Sequence, residues 1–450
     1  MALVVKNNLS ALSTLNIMNT NSTALNKSLK KVSSGMKINS AADDASGYQI
    51  SERMRVQIKS LDQANQNTQN GSAMLKTAEG AVSSTVEIIK TLKQKVLNAA
   101  NGTNTDSDLA AIQSEMNQSI DQINDNANTT FNGKYLIDGS ASSATSATKS
   151  AFTNQSLGVQ TTGSSALTSL TNRDGKSLGI VSGDSVAISY VINGKTVTTS
   201  IRIHDATNGG TATKISDIIN KATGLSVNTT ATSVVGTGAT PATNNKDGQG
   251  YTVHSTDGKN VLTIATKTAG ISSSLAGFTI NVTDKNGAAK KDVNKVLDNF
   301  TEAITAHDLS KDHSIKLQVG TKANQTISVG LSDMGAKALG LQGQSSSTTY
   351  NLDVTTQERA TAAIDVLDKA LQKALSQQTR IGSAESRLDY TSQNLTTSSE
   401  NVTNAESTIR DSDMAKEMTE YTKNNVLKQA SSAMLAQANQ SGQSVLSLLQ

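Results

Sequence analysis

The chain has 450 residues, of which 36% are apolar, with four Phe, seven Tyr and no Trp. Aromatic side chains normally supply much of a thick core, so this composition disfavours one large globular core and favours thin helix-on-helix packing. Cys is absent, which excludes disulfides and thiolate chemistry, and the net charge of +3 is spread along the chain, which gives no clustered basic face for nucleic acid.

Neither a membrane helix nor a cleaved signal sequence is expected. No apolar run approaches the roughly 18 residues of a membrane span, and the apolar cluster Ala2–Val5 is too short for a signal-peptide core. If the protein leaves the cell, we expect export without a cleaved signal. Proline occurs once, at Pro241, so nothing interrupts long helices in the terminal regions.

The N-terminal region predicts two long helices and a shorter third one over residues 109–127. The first carries apolar residues at heptad spacing and ends near Gly35. The second keeps three- and four-residue spacing from residue 50 to 96, a helix of roughly 70 Å. Assigned contacts on the first helix are Leu15, Met18, Leu25, Leu29 and Val32. On the second they are Ile50, Met54, Ile58, Leu61, Leu75, Val82, Ile89 and Leu92.

The middle region, residues 141–312, is dominated by Ser, Thr, Gly and Asn and predicts an inserted β-rich domain. An Asn-Gly pair between two alternating segments predicts a hairpin over 186–203, because Asn-Gly suits a type I′ turn. A second hairpin is predicted over 251–266 around Asp-Gly, with a short helix over 215–222 between the two. A further hairpin is predicted over 315–329.

The C-terminal region mirrors the N-terminal one. Its long helix carries Ile364, Leu367, Leu371, Ile381, Leu388, Leu395 and Val402. After a break at residues 411–413, a last helix carries Met414, Met418, Tyr421, Met434, Val445, Leu448 and Leu449. Neither end can bury its apolar face alone, so the two ends are expected to pack together. Isolated helices are marginal in water, so we expect ordering to wait for neighbouring subunits.

Several motifs at both ends resemble those of bacterial flagellins. They are Ser33–Gly47, Thr130–Gly133 with Leu136, Leu317–Gly320 with Gln325–Val329, Ala405–Ala415, and Ala436–Asn439 with Val445–Leu449. They occur in the family's order and cover about residues 1–140 and 313–450. The middle region resembles the family only as a variable outer domain.

The resemblance implies a mainly α fold, a long coiled-coil-like helical rod built from both termini. Residues 1–43 with 411–450 would form a terminal coiled-coil polymer-core domain. Residues 44–140 with 313–410 would form the helical rod domain, which includes the hairpin 315–329. Residues 141–312 would form an inserted β-rich (α+β) outer domain.

The resemblance also implies a structural subunit that polymerises into the extracellular flagellar filament for motility. Its implied partners are other copies of itself, an export chaperone at the C-terminal region, and the filament cap and hook–filament junction proteins. The resemblance further implies that the chain is exported unfolded through a type III apparatus and assembles at the filament tip. Two alternatives stay open: a hook–filament junction protein, and a secreted adhesin or enzyme carried on the insert.

Innate immune recognition is a further implication of the resemblance. The recognised pattern carries Arg, Glu and Leu at relative positions 0, 3 and 4, where this sequence has Thr91, Gln94 and Lys95. Glu115, on the following helix, matches the pattern. Because Thr cannot replace the five-donor fork of Arg, weakened receptor recognition is expected.

Other motifs favour plain structural interpretations. Gly194–Thr196 fails as a phosphate loop because Ser189 stands where a glycine is required. The four histidines lack a zinc-protease pattern, and His307–Asp308 and Asp312–His313 are interpreted as solvated polar residues in preference to a weak metal site. We expect no metal, no cofactor and no catalytic residue. Asp43 and Asp44 have no nucleophile predicted nearby and are expected at the start of a helix, where the helix dipole favours acids.

Overall fold

The computed structural model describes residues 8–204, 212–222, 224–230, 232–235, 246–247, 251–345 and 348–448. The termini form long helices and the middle is rich in strands, as predicted. Within the described residues no helix combines the length and apolar character that crossing a membrane requires. The helices are α1 (Leu9–Ser34), α2 (Ala45–Ala99), α3 (Asp106–Ala127), α4 (Ile215–Lys221), α5 (Lys291–Leu297), α6 (Gln357–Arg410) and α7 (Met414–Leu448).

The strands are short and form several small antiparallel sheets. They are β1 (Thr130–Phe131), β2 (Lys134–Tyr135), β3 (Ala151–Asn154), β4 (Ser185–Ile192), β5 (Lys195–Arg202), β6 (Leu225–Val227), β7 (Leu262–Thr266), β8 (Leu275–Thr283), β9 (Phe300–Ile304), β10 (Ile315–Gln318), β11 (Thr326–Val329), β12 (Gln342–Ser345) and β13 (Thr348–Asn351). Among the described residues three sheets are two-stranded, β1-β2, β10-β11 and β12-β13. The other two have the strand orders β6-β7-β3-β9 and β5-β4-β8.

The chain forms two compact units. The terminal unit comprises Met1–Gln69, Gln318–Thr326 and Asp389–Gln450. The central unit comprises Asn70–Leu317 and Ile327–Leu388. Helices α2 and α6 therefore each contribute residues to both units.

Cap residues explain where the first helix starts and stops. Asn8 precedes α1, and its side-chain oxygen accepts the backbone N–H of Ala11 at 3.0 Å. Gly35 ends the helix with φ of 73°, and its N–H bonds to the carbonyl of Lys31 at 2.9 Å. Glycine adopts this left-handed conformation without the cost that a side chain would add. The break predicted at Gly35 is confirmed.

The core of the central unit's β-rich region lies between its two larger sheets and α4 and α5. Val186, Ile188 and Tyr190 of β4 and Ile264 of β7 are at most 1% exposed. Phe278 packs edge-on against Phe300, with ring centroids 5.0 Å apart. Few aromatics suffice here because the buried faces are filled mainly by Ile, Leu and Val.

Three of the predicted local elements are confirmed. Strands β4 and β5 pair through Ile192 and Lys195 around Asn193 and Gly194, whose φ values of 54° and 70° fit a type I′ turn. The short helix α4 and the hairpin of β10 and β11 also form as predicted.

The hairpin predicted over residues 251–266 is wrong. Gly258 does sit in a turn, with its N–H bonded to the carbonyl of Ser255 at 3.1 Å. The strand after the turn, β7, pairs with β3 and β6 instead of folding back on residues 251–256. Long-range pairing in the buried sheet thus outweighs the local turn signal, because all five residues of β7 are buried there.

Candidate assembly surfaces

Helices α1 and α7 of the terminal unit lie side by side and are joined by polar contacts. Asn21 donates through Nδ2 to Ser431 Oγ at 2.7 Å, and Asn424 donates through Nδ2 to Ser28 Oγ at 2.9 Å. Ser28 and Ser431 are each 7% exposed, with Leu25 buried beside them at 9%. Polar pairs at a helix–helix seam restrict the register, because a shift by anything other than a whole heptad leaves buried groups unpaired.

Two further contacts extend this polar ladder towards the ends of the pair. Lys31 Nζ lies 3.2 Å from Glu417 Oε1. Asn8 Nδ2 donates to the carbonyl of Ala438 at 3.0 Å. The packing of the two chain ends against each other is therefore present within one chain, and it combines this ladder of polar contacts with the buried Leu25.

The outer faces of α1 and α7 leave large apolar side chains exposed. On α1 these are Leu9, Leu12, Leu15, Ile17 and Leu29; on α7 they are Met414, Met418, Val426, Leu427 and Met434. Their exposures run from 38% for Leu15 to 70% for Leu9. Scattered exposed apolar residues are ordinary, but so many on one helix pair indicate a surface that another molecule covers.

The structure separates the contact residues assigned from sequence into three groups. Leu25 is buried against α7, whereas Met18, Val32 and Tyr421 are half-buried. Leu15, Leu29, Met414, Met418 and Met434 are exposed. Val445, Leu448 and Leu449 fall outside the residues whose side chains the structure describes. Leu9, Leu12, Ile17, Val426 and Leu427 were missed, because a stripe drawn through apolar residues alone ignores the polar positions that face α7.

The two terminal signature motifs meet beside the α1–α7 pair. Lys37 N–H bonds to the carbonyl of Arg410 at 2.8 Å, and Ser412 N–H bonds to the carbonyl of Gly35 at 3.0 Å. Arg410 is 6% exposed, and its Nη1 donates to Glu52 Oε1 at 2.7 Å. This guanidinium holds the pKa of the Glu52 carboxyl below its ordinary value.

Arg410 also contacts two other residues of the N-terminal motif. Its Nε lies 3.2 Å from Met36 Sδ, and its guanidinium carbon lies 5.5 Å from the centroid of the Tyr48 ring. A cation over an aromatic face is attracted by the ring quadrupole. Sequence reasoning found the motif around Arg410 but not its role, because nothing local marks it as the buried cation that joins residues more than 350 positions apart.

Asp43 organises the loop that leads into α2. Its Oδ2 accepts the N–H groups of Asn39 at 3.2 Å and Ser40 at 3.1 Å, and its Oδ1 lies 3.2 Å from Lys27 Nζ. Burial raises the pKa of Asp43, but Lys27 and the hydrogen bonds outweigh it and lower the value to about 2. The carboxylate is thus fixed in the charged form as a structural acceptor.

Asp44 directly precedes α2. Its Oδ1 accepts the backbone N–H groups of Ser46 at 3.1 Å and Gly47 at 3.0 Å, which confirms the predicted role at a helix start. A Cβ on Gly47 would lie 2.4 Å from Asp44 Oδ2 and 2.8 Å from Ile38 Cδ1. A larger residue here would displace the Asp44 carboxylate or the Ile38 side chain, and glycine avoids both.

The residues assigned from sequence to the seam of α2 and α6 range from fully buried to exposed. In the terminal unit Leu61 and Leu395 are buried, Met54, Ile58 and Val402 are half-buried, and Ile50 is 44% exposed. In the central unit α2 buries Leu75, Val82, Ile89 and Leu92, and α6 buries Leu367, Ile381 and Leu388. Ile364 and Leu371 are half-buried. Each unit thus has its own apolar helix–helix core.

The innate-receptor positions lie on α2 and α3 of the central unit. Thr91 and Gln94 are exposed, and Thr91 Oγ1 donates back to the carbonyl of Glu87 at 3.0 Å. Lys95 Nζ lies 3.0 Å from Glu115 Oε2. Glu115, which matches the recognised pattern, is therefore paired with Lys95, which departs from it.

The β-rich region of the central unit packs directly on α6. Gly277 of β8 has φ of 56°, and a Cβ there would lie 2.4 Å from the carbonyl oxygen of Ala362. Lys369 Nζ lies 3.3 Å from Glu302 Oε2 and 3.8 Å from the centroid of the Phe152 ring. The insert is thus held by packed contacts as well as by the chain segments that lead into it.

Both ends of the chain match family models of known proteins. Residues 5–142 match the bacterial flagellin N-terminal helical region, and residues 364–449 match the C-terminal helical region. A flagellin of Clostridium tyrobutyricum is 35% identical over 98% of this chain and all of its own length. Flagellin D of Vibrio anguillarum is 32% identical over the full length of both chains. The flagellar junction protein FlgL of Legionella pneumophila aligns at 14% identity over 81% of this chain and all of that one, with a TM-score of 0.33.

Proposed function

Because the chain belongs to the bacterial flagellin family, a structural component of the flagellar filament, we propose that the exposed apolar faces of α1 and α7 form its polymer core. The observation that supports this is the exposure of Leu9, Leu12, Val426 and Met434, all above half, on two helices that already pack against each other within one chain. In a helical homopolymer these faces bury each other between subunits.

The proposed domain organisation follows the positions of the terminal motifs. Residues 1–43 with 411–450 form the polymer-core domain, and 44–140 with 313–410 form a rod domain with its own hairpin. Residues 141–312 form an outer domain. Within each compact unit α2 and α6 bury apolar residues of the proposed rod, whereas α1 buries only Leu25 and Ser28 within one chain. The rod therefore needs no neighbour, and the polymer core does.

Export and partners follow from the same premise. We infer that the chain is secreted unfolded through the flagellar type III apparatus and assembles at the filament tip beneath the cap. An export chaperone is proposed to cover the C-terminal region, whose α7 carries exposed Met418, Leu427 and Met434. Such side chains need cover before assembly, because an exposed apolar surface promotes premature association.

Electron microscopy of the purified full-length chain tests the proposal. We expect helical filaments above a critical concentration, and none from a chain that lacks residues 411–450. A hook–filament junction protein, the rival interpretation, would stay monomeric or form short closed rings. Full-length similarity to flagellins at 35% and 32% identity favours the filament subunit.

The second candidate places an adhesin or enzyme on the insert, which requires the insert to be separate from the polymer core. A deletion experiment tests that separation. Removing residues 145–308 would uncover the α6 surface around Ala362 and Lys369 that β8 and β9 cover. We expect the shortened chain to assemble still, with lower thermal stability than the full chain. Complete loss of filaments from a folded, exported deletion would show that the insert belongs to the polymer core.

Innate immune recognition is proposed to be weak. Thr91 offers one hydroxyl where the recognised pattern has a five-donor guanidinium, and Lys95 pairs with Glu115. A cell reporter for the receptor should respond much more strongly to the triple variant Thr91→Arg, Gln94→Glu, Lys95→Leu than to the unmodified chain. Equal potency of the two proteins contradicts this proposal.

A further inference from the structure

A cavity of about 370 Å³ lies within the central unit, between α6, the segment 332–340 and the strand-rich residues 271–276 and 302–307. One face of α6 lines it with Lys369, Lys373 and Gln377, which are spaced four residues apart. Apolar side chains line the rest, among them Val366 and Leu339. Small-molecule sites combine apolar walls with a few convergent polar groups in this way.

Gln377 is the feature of this cavity that packing does not explain. Its side chain is 2% exposed, and its Oε1 accepts the N–H of Ser332 at 3.3 Å. Its Nε2 has no hydrogen-bond partner among the described residues and no contact with solvent. A buried unpaired donor costs free energy, so a group that accepts a hydrogen bond from it would stabilise the site.

Lys373 adds a second donor next to Gln377 on the same helix face. Its Nζ donates to the carbonyl of Ala338 at 2.6 Å, which uses one of the three donors of an ammonium group. Burial lowers the pKa of Lys373, while Asp333, Asp308 and Glu302 oppose that shift. A counter-ion inside the cavity would relieve the cost of burying this charge.

The acidic groups nearby do not fill that role. Glu302 lines the cavity, but it already pairs with Lys369 at 3.3 Å and accepts a hydrogen bond from Ser150 Oγ at 2.9 Å. Asp333 accepts the N–H of Gly335 at 2.7 Å, and its side chain is not part of the cavity wall.

The third acid, Asp308, is engaged in the same way, because it accepts the N–H of Ile271 at 2.8 Å. His307 lines the cavity, and burial together with Lys373 lowers its pKa, which keeps the ring neutral near pH 7. Arg380 lines the cavity on the α6 side and adds a further positive charge.

We propose that this cavity binds a small organic monoanion, a carboxylate with an apolar body. Its carboxylate would accept a hydrogen bond from Lys373 Nζ and, once the buried Gln377 amide shifts towards the cavity that it lines, from Gln377 Nε2, and its body would lie against Val366 and Leu339. The volume suits a molecule of roughly ten non-hydrogen atoms. The Glu302 carboxylate in the wall disfavours a dianion. This ligand site goes beyond filament assembly and does not depend on it.

Isothermal titration of the full-length chain with hexanoate tests the proposal, with hexanol and hexylammonium as probes of the same chain length. Hexanoate should bind, hexanol should bind at least roughly tenfold more weakly because it lacks the charge-assisted hydrogen bonds, and hexylammonium should not bind. Lys373→Met should weaken hexanoate binding by roughly tenfold or more. The matched control Lys337→Met removes a lysine of the neighbouring segment that is exposed and not part of the cavity, and it should bind as the wild type does.

The near-isosteric variant Gln377→Glu keeps the test decisive if Lys373→Met folds poorly. Its carboxylate would occupy the place of the ligand beside Lys373, so hexanoate binding should disappear while the melting temperature holds or rises. Equal binding of hexanol and hexanoate would reduce the site to an apolar cavity and overturn the proposal. Unchanged hexanoate binding in Lys373→Met, or no binding by the wild type, would overturn it as well.

Discussion

Val426 offers a quantitative test of the proposed polymer core. It lies on α7 and is 57% exposed in the single chain. Val426→Ala removes two carbons, worth about 0.8 kcal/mol each when fully buried. If neighbouring subunits bury the exposed fraction, the variant loses about 0.9 kcal/mol of assembly free energy per subunit. Each subunit contributes this residue once, so the critical concentration should rise about fivefold.

The chain supplies a matched control for this substitution. Val181 of the insert is 55% exposed and lies outside the proposed core, so Val181→Ala makes the same change at nearly the same exposure. Alanine has the higher helix propensity, which would strengthen α7. Weaker assembly of Val426→Ala therefore cannot be ascribed to loss of helix.

The assay is sedimentation of monomer seeded with short filament fragments, across a dilution series. Circular dichroism should show equal thermal unfolding of the Val426→Ala and wild-type monomers, because exposed substitutions change stability little. A critical concentration for Val426→Ala equal to those of the wild type and Val181→Ala would refute the assignment of this face of α7 to the polymer core.

Three further predictions concern the terminal unit. In assembled filaments, Arg410→Ala should speed hydrogen exchange in α1 and in the first turns of α2, because the cation that joins both motifs is lost; the exposed Arg53→Ala should leave exchange unchanged. Since the folded pKa of Asp43, about 2, lies below its ordinary 3.8, the stability that it contributes is present above pH 3.8 and lost as the pH falls towards 2. Asp43→Asn should flatten that part of the acid-unfolding curve, whereas Asp106→Asn, at an exposed helix start, should not. Brief trypsin treatment of monomer should remove roughly the first and last 40–60 residues and abolish polymerisation, and protease-resistant ends would argue against assembly-dependent ordering.

How far the sequence predicts this fold depends on the range of the interactions involved. Spacing of apolar residues predicts the long helices, because the repeat is local and lasts for many turns. Gly35 and the Asn-Gly turn are predictable for the same reason, since each needs a particular backbone conformation. The turn at Gly258 was found, but the partners of β7 were not. Strand pairing is decided by burial against distant segments, which no local pattern encodes.

The candidate surfaces were predicted in outline and missed in detail. Apolar spacing predicted the helices α1 and α7, for which assembly stays a proposal, yet it placed Leu15 and Leu29 in the same stripe as the buried Leu25. Asn21 and Ser28 carry no signal for a seam position when only apolar residues are counted. The cavity beside Gln377 depends on segments that are distant in sequence, so its unpaired amide could not be foreseen from α6 alone.

Four of the α7 residues that form polar contacts with α1 are Glu417, Asn424, Ser431 and Ala438, each seven residues after the last. Because these positions recur every seven residues, a slip of α7 by one heptad would present a similar face to α1 again. After such a slip Ser28 would still meet a hydroxyl from Ser431, whereas Asn21 would face Ala438 and Lys31 would meet an amide instead of a carboxylate. The Lys31–Glu417 ion pair is therefore the contact in this ladder whose charge distinguishes the correct register from one shifted by a heptad. Reversing both of its charges together should preserve the alignment, and reversing one should permit the slip.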